Sequence, residues 1–281
     1  MTEENKRAVL CPNCGKLISS SEPTCPYCGL SNPTSKWKNN PWIKSISDEG
    51  MLIRTIIAIN IVIYVLSLAL YPRGMGMSMN PLTMLSPSGS SLILLGATGT
   101  YPIDQLGRWW SLVSANFLHG SILHILFNML ACRQIAPLVI REFGSYRMLI
   151  IYMIGGTSGF LLSYLAGVRV TIGASAAICS LIGAALFYGK SRGGVYGQAV
   201  FRQVGGWVIG LFIFGLLIPG INNWGHGGGL IGGALLGMAM GYQEKTMENI
   251  THKILAQACV AITALILAWA IITGVIYRIV G

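Results

Sequence analysis

The chain has 281 residues, 53% of them hydrophobic and only 10% charged, with a mean hydropathy of +0.63. Soluble domains carry about 25% charged residues, so the composition excludes an ordinary water-soluble globule and points to a polytopic membrane protein. Nineteen Lys and Arg against nine Asp and Glu give a net charge of +10, which in a soluble chain would point to nucleic acid.

The first element is a cysteine-rich head. Residues 11–29 read CPNCGKLISSSEPTCPYCG, two C-P-x-C-G knuckles formed by Cys11/Cys14 and Cys25/Cys28. Four thiolates on two tight turns make the closed tetrahedral set that structural Zn²⁺ prefers. The glycine after each pair permits the turn in which backbone N–H groups point at sulfur. Two disulfides are the competing reading, but in a reducing cytosol disulfides are rare. The segment resembles the small zinc-ribbon modules that open many prokaryotic membrane proteins. The ribbon could recruit a cytosolic partner, sense zinc or anchor the N-terminus. A linker rich in Ser, Asn, Pro and Lys (31–50) follows, with Trp37 and Trp42 at the membrane surface or in ordinary packing.

Seven spans follow, at roughly 51–71, 119–138, 147–166, 174–189, 204–219, 225–242 and 254–277. The first is the cleanest and stops at Pro72. The fourth and sixth are short and rich in Gly and Ala, as suits helices buried among other helices. With the N-terminus inside, fifteen Lys and Arg lie inside and four (Arg73, Arg108, Arg169, Arg278) outside. The positive-inside rule accounts for the net charge without nucleic acid. The N-terminal stretch is polar rather than apolar, so no cleavable signal peptide is expected.

Polar residues inside spans are costly and therefore informative. None of the nine acids falls within these seven spans, and no His-Glu-x-x-His string exists. Aspartyl and zinc intramembrane proteolysis are excluded on those grounds, and a proton-coupled transporter is disfavoured. Cys132, Cys179 and Cys259 stand singly in apolar runs and read as buried, inert thiols. What remains is histidine and serine. His119 and His124 open the second span, with Asn128 one helical turn after His124 on the same face. Ser175 lies near the start of the fourth span and His226 near the start of the sixth. All three spans enter from the outer side, so these groups share one level, within about 10 Å of the outer interface at 1.5 Å per residue.

The fourth and sixth spans are also built to touch. Gly229, Gly233 and Gly237 recur every four residues in WGHGGGLIGGALLG, with Gly228 and Gly232 beside them, opposite the small residues of GASAA (173–177) and Ser180, Gly183 and Ala184. Such contact sets Ser175 against His226. A serine hydroxyl needs a base within hydrogen-bond reach, and His226 fills that role. With no buried acid, the arrangement is a Ser–His dyad rather than a triad. His124, Asn128 and the Ser175 backbone N–H are the candidate oxyanion donors.

The GASA around Ser175, the His119-x4-His124-x3-Asn128 run and Gly225-His226 ahead of the glycine stripe resemble the rhomboid family of intramembrane serine proteases. The resemblance covers roughly residues 51–242. It implies a six-helix all-α membrane bundle with Ser175 as nucleophile and His226 as base. It further implies that His124 and Asn128 line the oxyanion site and that His119 supports the polar cavity. The long first external loop (72–118) also fits. Four positions depart from the family pattern. Trp110-Ser111 stands for its Trp-Arg pair, with Arg108 nearby, and Ala176 replaces a glycine. Cys179 replaces an aromatic, and Gly225 an alanine.

The expected architecture is therefore a zinc ribbon (1–30), a linker (31–50), a rhomboid-like six-helix membrane domain (51–242) and a connection with a seventh transmembrane helix (243–281). The expected protein is a multi-pass protein of a prokaryotic plasma membrane with a cytosolic N-terminus. The expected activity is serine endoproteolysis of transmembrane protein substrates within the lipid bilayer, near the outer face. No cofactor takes part in catalysis, and structural Zn sits in the ribbon. A non-proteolytic rhomboid-like binder of membrane proteins is the alternative. A small-solute channel rests on span count and glycine content alone.

Overall fold

The computed structural model describes residues 8–11, 16–27, 29–35, 49–71, 76–77, 80, 83–218 and 220–280. The chain divides into two compact units, Met1–Leu52 and Ile53–Gly281. The N-terminal unit holds a two-stranded antiparallel sheet, β1 (Ala8–Leu10) and β2 (Leu17–Ser19), in which Val9 pairs with Ile18. Its small core is Cys11, Ile18 and Cys25.

Among the described residues there are seven long helices, all in the second unit except the first four residues of α1: α1 (Glu49–Leu70), α2 (Ile122–Phe143), α3 (Ser145–Leu165), α4 (Ser175–Arg192), α5 (Gly194–Leu217), α6 (Asn223–Met240) and α7 (Ile250–Val280). Five of them (all but α4 and α6) are long and apolar enough to cross a membrane. At 18 residues, α4 and α6 are about 27 Å long. Lys190 and Arg192 in the last turn of α4, and the glycines with Asn223 and His226 in α6, lower their mean hydropathy. The chain is thus a multi-pass helical membrane protein.

Three boundaries differ from expectation, each for a local reason. Ser121 accepts a hydrogen bond from the His124 backbone N–H (3.2 Å) and caps α2, so His119 precedes the helix instead of opening it. At its far end α2 runs past Pro137 to Phe143. The proline forfeits one backbone bond, but Ile135, Ala136, Val139 and Ile140 are buried around it and hold the last turns together. Glu142 therefore lies inside this helix, where it accepts hydrogen bonds from Arg141 Nε (2.7 Å) and the Tyr196 hydroxyl (2.6 Å). Finally, α5 begins at Gly194, because Gly197, Val200 and Val204 form a buried stripe at helical spacing.

Two joints are a single residue long. Gly144 (φ +98°) joins α2 to α3, and Gly193 (φ +65°) joins α4 to α5; both conformations favour glycine. At the first joint, fully buried Arg147 donates to the carbonyls of Thr246 (2.7 Å) and Met247 (3.0 Å) in the segment leading to α7. Glu248 accepts from the Arg147 backbone N–H (2.8 Å) at the start of α3, and burial pushes its carboxyl above the usual carboxylate range. At the opposite end of α7, Arg278 Nε donates to the Leu70 carbonyl (3.2 Å). The additional helix is thereby pinned at both ends.

The packing that matters for function is among α3, α4 and α6, where glycine replaces side chains on two faces of α6. A Cβ at Gly229 or Gly233 would fall 2.2 Å from the Ala176 carbonyl oxygen or 1.8 Å from that of Ser180, both on α4. One at Gly228 or Gly232 would meet Leu162 and Ser158 of α3 at 2.8 and 2.0 Å. Backbone-to-backbone approach of this kind is what small residues permit. It draws α6 into the wedge between α3 and α4.

Candidate active site

The close approach of α4 and α6 has a direct consequence at their N-terminal ends. Ser175 is the first residue of α4 and His226 the fourth of α6. His226 Nε2 stands 3.0 Å from Ser175 Oγ. Both residues are half-buried, whereas the next turns of α4 are buried. A hydroxyl donating to Nε2 leaves the ring proton on Nδ1, which is buried and has no hydrogen-bond partner among the described residues. Among the described residues no carboxylate hydrogen-bonds the ring.

His124 comes from a third element and reaches the same place. A Cβ at Gly173 would lie 2.8 Å from His124 Nε2 and 3.6 Å from Ser175 Oγ. Only a bare backbone (φ +130°) fits between the second imidazole and the hydroxyl. The Gly120 N–H donates to His124 Nδ1 (3.2 Å), so the neutral ring carries its proton on Nε2, the nitrogen facing Gly173. His119 is fully buried and packs edge-on against His124, ring centroids 5.1 Å apart. Asn128, also buried, donates from Nδ2 to the His124 carbonyl (2.8 Å). Its amide therefore turns back along α2.

The loop ahead of Ser175 is tied down by Thr98, Ala115 and Thr171, which sequence reading did not single out. The Gly173 N–H donates to the Ala115 carbonyl (2.9 Å), and Thr171 exchanges two backbone hydrogen bonds with Thr98 (2.7 and 3.1 Å). Ser111 Oγ donates to Thr98 Oγ1 (2.9 Å) in a buried contact. Nearby, Arg108 donates to the Ile93 carbonyl (2.7 Å) and lies over the Trp110 ring. The two positions flanking Trp109 and Trp110 thus anchor the segment between α1 and α2 from both sides. Across from them, Asn222 caps α6 by accepting from the Gly225 N–H (3.0 Å). Its Nδ2 donates to Ser163 Oγ (2.7 Å) and Thr171 Oγ1 (2.9 Å). Asn222 and Thr171 each stand four residues before one member of the Ser175/His226 pair, so their bond fixes the relative height of the two helix starts. An Asn ahead of a glycine-rich helix is a cap signal; its partner 51 residues away has no sequence signature. Asn222→Ala is expected to cost about 1–2 kcal/mol of stability and to lower turnover by lengthening the Ser175–His226 distance. Asn222→Asp, which can accept from both hydroxyls, is expected to recover much of both. Thermal unfolding and turnover measured together check this.

In the N-terminal unit, Cys11 and Cys25 are buried in one cluster. The Cys11 N–H donates to the Lys16 carbonyl and the Cys25 N–H to the Leu30 carbonyl, both at 2.8 Å and each five residues along the chain. Two thiols placed in this way fit a zinc ribbon. Cys14 and Cys28 lie outside the described residues, and among the described residues no group of three His, Cys, Asp or Glu is placed to hold a metal ion.

Comparison with known proteins agrees with these features. Residues 106–243 match the rhomboid domain family, and residues 8–32 match a zinc-ribbon domain. The chain is 35% identical over 160 residues to rhomboid protease GluP of Bacillus subtilis, a match covering 56% of this chain and 31% of the relative. It is 34% identical over 163 residues to each of RHOMBOID-like proteins 4 and 5 of Arabidopsis thaliana. Those matches cover 57% and 56% of this chain and 41% and 52% of the relatives. The chain thus spans from a third to about half of the length of these relatives. Residues 106–243 of the chain are thus similar to the rhomboid domain, and residues 8–32 to a zinc-ribbon domain.

Proposed function

We propose that the protein is an intramembrane serine endopeptidase acting on transmembrane protein substrates near the outer membrane face. The observation that carries this reading is the 3.0 Å approach of His226 Nε2 to Ser175 Oγ across the α4–α6 contact. Ser175 Oγ attacks the scissile carbonyl carbon while its proton passes to His226 Nε2. The resulting oxyanion is met by the Nε2–H of His124 and the Ser175 backbone N–H at the start of α4. Collapse breaks the C–N bond, His226 returns the proton to the leaving amine, and an ester remains on Ser175. Water then attacks that ester with His226 again as base, releasing the acid and restoring the hydroxyl. His124 is favoured over Asn128 as the side-chain donor, because the Asn128 amide already serves its own helix. His119 supports the His124 ring by edge-on packing.

The half-burial of Ser175, His226 and His124 suits a site that admits an unwound peptide and water. Purified protein in liposomes with a single-span substrate tests the assignment. Cleavage near one end of the substrate helix is expected. Stable capture of uncut substrate would instead favour the binder reading.

The zinc-ribbon match supports a structural Zn²⁺ held by Cys11, Cys14, Cys25 and Cys28, with residues 1–30 as the ribbon and 31–50 as linker to the membrane domain. The charge bias supports a cytosolic N-terminus. Purified protein is expected to hold one zinc per chain. Removing the metal is expected to unfold the ribbon, and neither that nor deletion of residues 1–40 is expected to change peptidase activity in detergent.

A further inference from the structure

Beside the crossing of α4 and α5 lies a cavity of about 340 Å³ lined by Gly189, Lys190, Gly193, Gln198, Phe201 and Arg202. The crossing itself is tight: a Cβ at Gly189 would fall 2.8 Å from the Gly197 carbonyl oxygen and from the Phe201 nitrogen. Lys190 lies 15 residues along α4 from Ser175, about 22 Å, so the cavity is remote from the site described above. Gln198, Phe201 and Arg202 stand at i, i+3 and i+4, on one face of α5.

The charges here are unbalanced. The acids on the neighbouring segments are already engaged: Glu142 by Arg141 and Tyr196, and Glu244 by Arg192 (3.0 Å). Lys190 and Arg202 form no ion pair or side-chain hydrogen bond among the described residues. Only 15 residues separate Arg202 from the end of α5 at Leu217, about 22 Å of helix. The hydrocarbon core of a bilayer is about 30 Å thick. A helix spanning it from Leu217 therefore holds Arg202 at or just below the interface, where an unpaired guanidinium is costly. Beyond the cavity, α5 is the least covered of the long helices, with 11% of its apolar window buried. Phe201, Ile209, Phe212 and Leu216 form an exposed apolar stripe at helical spacing on it.

We propose that this cavity binds the phosphate of an anionic phospholipid between Lys190 and Arg202, with the acyl chains lying along the Phe201–Leu216 stripe of α5. The cations supply charge and donors for the phosphate, Gln198 an amide for the headgroup, and the stripe the apolar contact that a free anion does not use. A membrane lipid fits all three where soluble phosphate fits one. Basic recesses between helices at a membrane interface recognise such headgroups.

The test is native mass spectrometry of the full chain in neutral detergent, titrated with phosphatidylglycerol or phosphatidylcholine. Phosphatidylglycerol is expected to bind preferentially. Each of Lys190→Gln and Arg202→Gln is expected to weaken it about fivefold and the pair about 30-fold, from the strength of one basic residue at an anionic surface. Both side chains are exposed, so the variants are expected to keep the wild-type thermal midpoint. The charge-matched pair Arg133→Gln/Lys245→Gln, outside the cavity, is expected to weaken binding less than about threefold. Equal weakening by the two pairs would overturn the site in favour of a general surface field. Equal binding of the two lipids, or displacement by millimolar inorganic phosphate, would overturn the lipid assignment.

Discussion

Ser175→Ala is expected to abolish cleavage of a single-span substrate while leaving the protein folded. The substitution removes one oxygen from a half-buried position whose polar contact is to His226. No backbone bond is lost, and alanine suits the first turn of a helix. Stability should therefore move by less than about 1 kcal/mol. Turnover, by contrast, should fall by on the order of 10⁴-fold or more, because no other hydroxyl reaches His226 and the step cannot be bypassed. His226→Ala should fall nearly as far, and the double variant little further, since nucleophile and base act as a unit. Turnover of Ser175→Ala within tenfold of wild type would mean that the hydroxyl is not the nucleophile.

The second large effect is expected far from any reacting atom. In Gly233→Ala the new Cβ would fall 1.8 Å from the Ser180 carbonyl oxygen, and within 2.6 Å of two further backbone atoms of α4. A flexible side chain could move aside, but a helix backbone cannot, so α4 and α6 must separate. Overpacking of this kind costs about 1–3 kcal/mol and occasionally more. The backbone partners put this position at or above the upper end. The same separation spreads to the N-terminal ends of the helices, two turns away, where a shift of about 1 Å can cost 10²-fold in rate. Gly227→Ala on the same helix is the control: its Cβ would find nothing within 4 Å, so stability should hold or rise slightly. Thermal unfolding of both variants, paired with their turnover, checks the claim that glycine on one face of α6 sets the geometry of the pair.

These two sites also mark what the chain discloses before it is folded. Helix α1 is plain in the sequence because its apolar run is long and ends at a proline. The meeting of Ser175 and His226 follows from polar residues at the ends of two glycine-rich helices. The side taken by each glycine does not: Gly228 and Gly232 serve α3, whereas Gly229 and Gly233 serve α4, a 100° difference that only tertiary packing decides. Ser121 capping α2, and the stripe that starts α5 at Gly194, shift helix boundaries by three to ten residues against the hydropathy pattern. Glu142 was hidden because an ion pair and a tyrosine hydroxyl accommodate it within a helix.

The least legible parts are the bonds that join segments distant along the chain. Thr98, Thr171 and Asn222 are ordinary polar residues whose meaning lies in their partners. Ser111, read as a departure from the family pattern, is a buried member of the same network through Thr98. The hydroxyl thus anchors the segment between α1 and α2 at the position where the family pattern places an arginine.

The most direct test of the dyad is to locate the covalent adduct formed by a fluorophosphonate in native membranes. Peptide mass mapping is predicted to find the phosphonyl group on Ser175 in the wild type and none on that peptide in His226→Ala. An adduct on another residue, or undiminished labelling of Ser175 without the imidazole, would contradict it.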